Sequence, residues 1–278
     1  MIYSRIRTQS QYVVLPPSNT VVSDIFQNVE YDSNWHGQLI GQMQRFRGSV
    51  YAADGAVQSR DLTADGRHKS AIDDFSWHVL ALDENNQIRA CLRYFEEGDA
   101  ETFDDLYVRK AAFARAPRIG NKFRAAVEAE MERARQSGLG FGEVGGWAVS
   151  EECRWTSESL RIVFAIVALL ELLGGRIGLA TATARHCSST ILRRIGLHPL
   201  HHEGAELPPY YDPQYSCDMQ VLRFDSRFPN TKYREWIDNM AVCLSAAPVV
   251  CSGVASVMPR VFRGFDASIQ GAALAPVA

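Results

Sequence analysis

The sequence of 278 residues has no apolar run long enough to span a membrane. Its longest, residues 162–170, covers about two helical turns and stops at Glu171. The basic residues near the start are not followed by the apolar segment that a signal peptide requires. We therefore expect no transmembrane segment and no signal peptide, and we assign residues 162–170 to a buried helix.

Paired cysteine motifs and a strong excess of charge are also missing. The six cysteines are scattered without any C-x-x-C pair, which indicates reduced thiols rather than a disulfide framework or a zinc site. The 29 basic and 32 acidic residues leave a formal net charge of −3, which argues against a nucleic-acid partner. We expect a cytoplasmic protein with no metal site.

The hydrophobic periodicity predicts an alternation of helices and strands. A composition of 46% hydrophobic and 22% charged residues is that of an ordinary globular protein. Helices are predicted over residues 35–53, 121–136, 157–173, 186–195 and 233–244, and strands over 77–82, 88–95, 144–149, 176–183 and 219–224. This order is typical of a mixed α/β sheet in one main domain.

Both ends of the chain differ from this pattern. Residues 1–25 are polar and broken by Pro16 and Pro17, so we expect an N-terminal lead-in. The main domain is expected over residues 26–228. A C-terminal helix and a tail, loose after about residue 250 of the sequence, then occupy residues 229–278.

A G-x-G-x-x-G pattern covers residues 140–145. In a dinucleotide-binding turn this pattern follows a strand and opens a helix. Here the predicted helix precedes the glycines and the predicted strand follows them. The pattern is therefore interpreted as a glycine-rich loop that enters a strand.

A polar turn over residues 154–159 joins the strand 144–149 to the apolar helix. The start of a helix presents free N–H groups that bind phosphate, and Arg154 adds a positive charge beside them. Capping of the helix by residues 156–159 is the alternative.

This turn resembles the pyrophosphate loop of GNAT acyltransferases, whose pattern is Q/R-x-x-G-x-G/A. Arg154-x-x-Ser157-x-Ser159 stands in its place, with serines where glycines are usual. The resemblance implies an α/β fold with a GNAT-like mixed, mostly antiparallel central sheet, a splayed strand and flanking helices. It also implies an acyl-donor site that includes Trp147, Val149, Arg154, Ser157 and Ser159.

The sequence resembles most the branch that holds the bacterial N-acyl amino acid synthases and the acyl-homoserine-lactone synthases. The matches are Arg47-x-x-x-Tyr51, the acidic turn 73–78, Arg93 and Glu143. The resemblance implies that Glu143 is the catalytic base and that Arg93 and Asp74 pair or hold the acceptor. Arg47 and Tyr51 fall on the acceptor or lid side. A buried ion-pair network is the alternative for Asp74, Arg93 and Arg47.

Two departures separate the sequence from the lactone synthases. Gly145 and Gly146 stand where those enzymes usually have Ser-Arg, and Val57 lies near the place of their tryptophan. Both departures favour acylation of another amine. The expected reaction moves a fatty acyl group from acyl carrier protein or coenzyme A to an amino acid or small amine, with no permanently bound cofactor. A lactone synthase and a non-catalytic module with this fold remain alternatives.

A local basic cluster is concealed by the near-neutral overall charge. Residues 109–124 include Arg109, Lys110, Arg115 and Arg118 and contain no acidic residue. Because acyl carrier proteins are acidic, this segment is a candidate docking face for one. A solvated basic surface is the alternative. Trp147, Phe164, Ile166 and Leu169 form either a fatty-acyl tunnel or plain core.

Overall fold

The computed structural model describes residues 11–253 except 99, 118 and 214, and only the backbone of residue 186. Within these residues there are five α-helices: α1 (Ser33–Ala53), α2 (Gly120–Gln136), α3 (Ser157–Leu172), α4 (Ser188–Ile195) and α5 (Arg234–Ser245). The strands up to the middle of the chain are β1 (Gln11–Leu15), β2 (Asn28–Tyr31), β3 (Ser76–Leu82), β4 (Ile88–Glu96), β5 (Gly140–Val149) and β6 (Arg176–Thr183). The later strands are β7 (His198–Pro199), β8 (His201–His202), β9 (Ala205–Glu206), β10 (Tyr210–Asp212), β11 (Cys217–Asp225) and β12 (Pro248–Cys251).

One large sheet runs through the molecule in the order β10-β11-β6-β5-β4-β3-β1-β12-β2, with β7 paired to β11 beside this path. Neighbouring strands are antiparallel except for the pairs β5–β6, β1–β12 and β12–β2. The strands β8 and β9 form a separate hairpin. The predicted fold class, a mixed and mostly antiparallel sheet flanked by helices, is confirmed.

Helices pack on both faces of the sheet, so the central strands have buried side chains on each face. All seven residues of β3 are buried. Helices α3, α4 and α5 share one apolar core with the sheet, while α1 and α2 pack into two smaller cores on the other face. In β1, Tyr12 and Val14 belong to the first core, and Val13 and Leu15 to the second face. This is the period-two alternation of a strand.

The outer strands correct the expectations for both ends of the chain. Gln11–Leu15, expected in a polar lead-in, pairs with β3, and Val14 and Leu15 are fully buried. Pro248–Cys251, expected at the start of a loose tail, lies between β1 and β2. Both segments therefore belong to the same sheet as the predicted main domain. Residues 254–278 of the expected tail lie outside the described residues.

Strands β5 and β6 separate partway along their length. Their parallel ladder begins at Gly140 and Arg176 and ends at Val144 and Ala180. Both strands continue beyond this point, β5 to Val149 and β6 to Thr183. The divergence opens a cleft between them, which is the splay expected from the sequence.

Strand β5 also bulges against its other neighbour, β4. Arg93 faces Gly145 and Cys91 faces Ala148, so two residues of β5, Gly146 and Trp147, oppose one residue of β4. Gly146 has a φ of +68°, a conformation that favours glycine. The bulge therefore lies beside the point where β5 leaves β6.

The glycine pattern at residues 140–145 lies inside β5 rather than in a loop before it. A β-carbon on Gly142 would stand 2.3 Å from the carbonyl oxygen of Phe95, and one on Gly178 would stand 2.0 Å from that of Gly142. The glycines therefore allow close approach of neighbouring strands. A dinucleotide turn has no place here.

The segment between β4 and α2 contains three short 3₁₀ turns, Phe103–Asp105, Tyr107–Lys110 and Ala112–Arg115. Phe103 and Phe113 pack against Phe123 of α2, with ring centroids 5.6 and 5.1 Å apart. These aromatic contacts fix the segment over one side of the sheet. Among the described residues, no helix is both long and apolar enough to cross a membrane.

Candidate functional site

A cavity of about 380 Å³ opens where β5 bulges and leaves β6. Its walls come from α1, β4, β5, β6, α4, the turn Tyr107–Lys110 and the strands β10 and β11. The titratable side chains in its wall include Arg47, Tyr51, His68, Arg93, Glu143 and Tyr210. The structure thus brings together six residues predicted for the site: Arg47, Tyr51, Arg93, Lys110, Glu143 and Trp147.

The carboxylate of Asp73 ties the cavity wall together. Arg47 donates to both of its oxygens, at 3.0 and 2.7 Å, and Arg93 donates to Oδ1 at 3.0 Å. The side-chain amide of Gln44 and the backbone N–H of Ser70 donate to Oδ2 at 3.0 and 2.9 Å. One buried carboxylate therefore holds α1, β4 and the turn before β3 in a fixed relation.

In this network one carboxylate faces two guanidinium groups. Burial alone would raise the pKa of Asp73, but the hydrogen bonds and charge of Arg47, with the charge of Arg93, hold the pKa well below its usual value. Burial likewise opposes the charge of Arg47, and Asp73 outweighs it, so the pKa of Arg47 is raised. All three side chains are at most 7% exposed.

The partner of Arg93 is Asp73 and not Asp74. The sequence placed Asp74 in the catalytic set with Arg93, but Asp74 is exposed, whereas Asp73 is 1% exposed. Both residues belong to the 3₁₀ turn Asp73–Phe75, and adjacent residues of such a turn point in different directions. The pairing with Arg93 that was expected of Asp74 is therefore made by its neighbour.

Glu143 lies in β5 three residues before the first bulged residue, Gly146. Its Oε2 atom is shielded from solvent and has no hydrogen-bond partner within the described part of the chain. A β-carbon on Gly145 would lie 3.7 Å from its other oxygen, Oε1, so the absence of a side chain there leaves room beside the carboxylate. Burial raises the pKa of Glu143 to about 7, with Arg93 opposing the rise and Glu97 adding to it. A carboxyl group with this pKa exchanges protons near neutral pH.

The bulge is supported from α1. The hydroxyl of Tyr51 donates to the carbonyl oxygen of Trp147 at 3.3 Å, and the ring of Tyr51 meets that of His68 edge-on at 5.3 Å between centroids. Burial, together with the charge of Arg47, lowers the pKa of His68 to about 4, so its ring is neutral at pH 7. Tyr51 therefore positions the backbone of the bulge.

Arg154 is engaged by a residue that the sequence did not single out. Its two terminal nitrogens donate to the two carboxylate oxygens of Asp54 at 2.7 and 2.8 Å. Asp54 caps the end of α1, and its backbone carbonyl accepts a hydrogen bond from Arg185. The arginine expected to meet a phosphate thus links α1 to the start of α3 in this structure.

The first turn of α3 is capped by its own side chains. Thr156 accepts from the N–H of Glu158 at 3.2 Å, and Ser159 donates to the carbonyl oxygen of Thr156 at 2.8 Å. Ser157 is exposed, whereas Val149 and Ser159 line a smaller cavity of about 110 Å³ that shares Trp147 with the main one. Capping, the alternative interpretation of these hydroxyls, is thus present for Thr156, whereas Ser159 donates to a carbonyl oxygen and caps no N–H group.

One residue of the basic cluster, Lys110, lies in the wall of the main cavity. Arg109, Lys110 and Arg115 are exposed, and Lys110 also lines the cavity with its ammonium 4.6 Å from the ring centroid of Tyr107. Arg124 is paired with Asp104 at 2.7 and 2.8 Å, so its charge is neutralised. Arg118 lies outside the described residues.

Of the four residues predicted to form a fatty-acyl tunnel or plain core, some line a cavity and others are buried in the core. Trp147 lines the main cavity. Phe164 and Leu169 are buried in the main core, and Ile166 lines a separate apolar pocket of about 30 Å³. In the described residues, no three side chains of metal-ligating type come together.

Sequence reasoning missed several side chains of the cavity wall, among them His68, Tyr107, Tyr210 and Asp212. It also missed Asp73, whose buried carboxylate holds Arg47 and Arg93. Asp73 stood within the acidic turn that was singled out, so a signal for it existed. Tyr107 stands beside Arg93, whose guanidinium carbon is 6.0 Å from the tyrosine ring centroid. Tyr210 stacks on Phe113 with centroids 4.7 Å apart. Such contacts join segments distant in sequence and leave no local pattern.

Comparison with known proteins rests on structure. No family model and no curated protein matches the chain. The solved structure of BjaI, a CoA-dependent acyl-homoserine lactone synthase with SAM and isopentyl-CoA, has a TM-score of 0.51 at 13% identity, covering 87% of this chain and 92% of BjaI. The structure of TofI in a ternary complex with an inhibitor and MTA has a TM-score of 0.49 at 16% identity, covering 84% of this chain and 99% of TofI.

FeeM, an N-acyl amino acid synthase from uncultured soil microbes, has a TM-score of 0.46 at 9% identity, covering 78% of this chain and 92% of FeeM. The similarity to BjaI concerns the order and packing of helices and strands over most of both chains. At this level of identity it establishes architecture. The chain therefore has the mixed α/β fold seen in BjaI.

Proposed function

We propose that the protein is an N-acyltransferase that moves a fatty acyl group from an acyl thioester to the amine of an amino acid or small amine. The observation that carries the proposal is Glu143, a carboxyl group with a pKa of about 7 in the wall of the cavity where β5 bulges. An amine must lose a proton before it attacks a thioester, and a base with this pKa accepts one at neutral pH.

The bulge supplies the second element of the mechanism. The bulged residues, Gly146 and Trp147, have no partner in β4, and both lie beyond the last residue of β5 that pairs with β6. Their backbone N–H groups are our candidates for stabilising the oxyanion that forms when the amine attacks. Glu143 removes the proton from the amine directly or through one water, and the thiolate leaves as the amide forms.

Arg93 is the proposed anchor for an acceptor that carries a carboxylate. One of its amino groups is used by Asp73, and the side chain also lines the cavity near Gly145. A guanidinium is suited to a carboxylate because it offers several donors in one plane. Arg47 and Tyr51 act from behind, through Asp73 and the carbonyl oxygen of Trp147.

The donor is proposed to enter the cleft between β5 and β6. Trp147 and Val149 flank this cleft, and Arg154, Ser157 and Ser159 belong to the turn where a phosphate of the donor would lie. Arg109, Lys110, Arg115 and Arg118 are the proposed docking residues for an acidic carrier protein. Coenzyme A is the alternative donor. The six scattered cysteines are consistent with action in the cytoplasm.

Synthesis of an acyl-homoserine lactone is the second candidate, favoured by the fold shared with BjaI, whose structure contains SAM and isopentyl-CoA. The two candidates differ in the acceptor. SAM as sole acceptor would give a lactone, whereas an amino acid would give an N-acyl amino acid.

One experiment tests the proposal and separates the candidates. The purified protein is incubated with acyl carrier protein thioesters or acyl-CoA and with pooled amino acids, polyamines or SAM, and products are identified by mass spectrometry. We expect an N-acyl product that depends on Glu143. If no acylated product forms with any donor and acceptor, the proposed transferase activity is wrong. The protein would then be a non-catalytic binding module with this fold.

A further inference from the structure

A small apolar pocket lies behind the main cavity. It has a volume of about 30 Å³ and is lined by side chains of α3, the end of α4 and the end of β11. The apolar residues of its wall include Val163, Ile166, Val167 and Leu170 of α3 and Ile195 of α4. A volume of about 30 Å³ matches the share of one water molecule in the liquid, so the pocket alone holds no ligand.

Two residues separate this pocket from the main cavity. Val144 of β5 and Leu192 of α4 line both spaces, and they are 6% and 5% exposed. The partition at this point is therefore one side chain thick. Val144 is also the last residue of β5 that pairs with β6, so the partition stands where the two strands begin to diverge.

The side of the main cavity next to the partition is apolar. Leu92, Ala180 and Ala182 line the cavity there, each at most 4% exposed. Small alanine side chains on β6 leave space between the strands, and none of these groups offers a hydrogen bond. This lining suits the hydrocarbon chain of an acyl donor and not its polar parts.

We propose that Leu192 and Val144 set the longest acyl chain that the donor cleft accepts, and that the pocket behind them is a latent extension of the acyl site. This inference rests on the proposed function, because it assumes an acyl thioester in the cleft. The chain ends against Leu192 in the native protein. Shortening Leu192 joins the two spaces and admits a longer chain.

The test measures kcat/KM for Leu192→Ala with a series of straight-chain acyl thioesters at a saturating concentration of one acceptor. The substitution removes three carbons, so the preferred chain should lengthen by about two to three carbons. Each additional buried methylene contributes about a fourfold gain, so the preference for a chain two carbons longer should rise roughly 15-fold. Leu192→Val removes one carbon and should lengthen the preferred chain by about one, in a less perturbed core.

Two further variants test whether the effect depends on the rear pocket. Val163→Ile adds one carbon to the wall of the rear pocket, so it should leave the native preference unchanged and reduce the gain of Leu192→Ala. Leu169→Ala is the matched control, because Leu169 is fully buried in the same core but lines neither space. It should lower stability without changing the preferred chain. An active Leu192→Ala with the native chain preference overturns the inference.

A binding measurement separates this inference from the proposed function. Calorimetric titration with S-alkyl coenzyme A thioethers of increasing length reports the depth of the cleft without turnover. Tighter binding of longer alkyl chains to Leu192→Ala supports the partition even if the protein transfers no acyl group. If the native protein transfers acyl groups but Leu192→Ala binds the same alkyl lengths as the native protein, the proposed partition is wrong. The proposed function then still stands.

Discussion

Arg47 of α1 and Arg93 of β4 donate to the same oxygen atom, Oδ1 of Asp73, each at 3.0 Å. Two cations that are 1% and 7% exposed thus share one carboxylate that is 1% exposed. Without this anion, each arginine would be an uncompensated buried charge, which costs about 3–5 kcal/mol of stability. The wall of the cavity therefore depends on a residue that itself contacts no proposed substrate.

Asp73→Asn should strongly destabilise the protein, because it leaves two buried guanidinium groups without a counter-charge. We expect a loss of about 3–5 kcal/mol in the free energy of unfolding, measured by urea denaturation at pH 7. Asp74→Asn is the matched control, since Asp74 is exposed, and should change stability by less than about 0.5 kcal/mol. Equal losses in the two variants would contradict the assignment.

Glu143→Gln should lower kcat by about 10²–10⁴-fold, because glutamine accepts no proton. In the native protein, kcat/KM should rise with pH and level off above about pH 7, since the carboxylate is the active form and its pKa is about 7. The variant should lack this rise. Glu151→Gln, which changes an exposed glutamate before α3, should keep the native rate and profile.

The same substitution has an opposite effect on stability. Burial raises the pKa of Glu143 in the folded state, so the folded protein binds the proton more tightly than the unfolded chain does. The native protein should therefore lose stability as the pH rises from about 4.5 to about 7. Glu143→Gln should be more stable than the native protein at pH 8 by about 1–3 kcal/mol, and this difference should shrink at pH 4.

Gly146→Ala should damage the bulge. The φ of +68° at Gly146 disfavours alanine, and the added β-carbon would stand 3.3 Å from an amino group of Arg47. We expect about 1–2 kcal/mol loss of stability and roughly a 10²-fold drop in kcat/KM. Gly138→Ala is the control: φ is +64° and nothing lies within 4 Å of the added carbon, so only stability should fall.

Substitutions in the Asp54–Arg154 pair should act on donor binding in opposite directions. Asp54→Asn releases the guanidinium for a phosphate, so KM for acyl-CoA should fall, whereas Arg154→Gln should raise it about tenfold. A short acyl thioester without phosphate is the control substrate, and its KM should not change. Parallel changes with both substrates would place Arg154 outside the donor site.

Reversal of charge in the basic cluster should affect only a carrier-linked donor. Arg109→Glu with Arg115→Glu should raise KM for an acyl carrier thioester several-fold at low salt, and the effect should shrink as salt screens the charges. Lys232→Glu, at an exposed lysine beyond β11, is the control and should leave KM unchanged. A short thioester should give the same KM with all three proteins.

Much of the fold follows from local periodicity. The helices, the hairpin β3–β4 and the strands β5, β6 and β11 fall within a few residues of their predicted positions, since each repeats its apolar residues at the period of its own structure. Strands β1 and β12 were missed. They are five and four residues long, and their partners lie far away in the sequence, so local pattern gives no sign of them.

The site was predictable in kind and less so in detail. Arg47, Arg93 and Glu143 lie around one cavity as the family resemblance implied, but the choice between Asp73 and Asp74 is made by a single 3₁₀ turn. The bond between Arg154 and Asp54 spans 100 residues, so the spacing around Arg154 could not show that its charge is engaged. Contacts of this kind depend on how whole elements pack.

Strand β12 lies between β1 and β2, although it follows both in the chain by more than 200 residues. During synthesis, β1 and β2 therefore leave the ribosome long before the strand that joins them exists. This edge of the sheet can be completed only after Cys251 has been made. A chain cut after residue 228 would retain every residue proposed for the site and yet leave β2 with no strand to pair with, exposing one side of β1 to other chains.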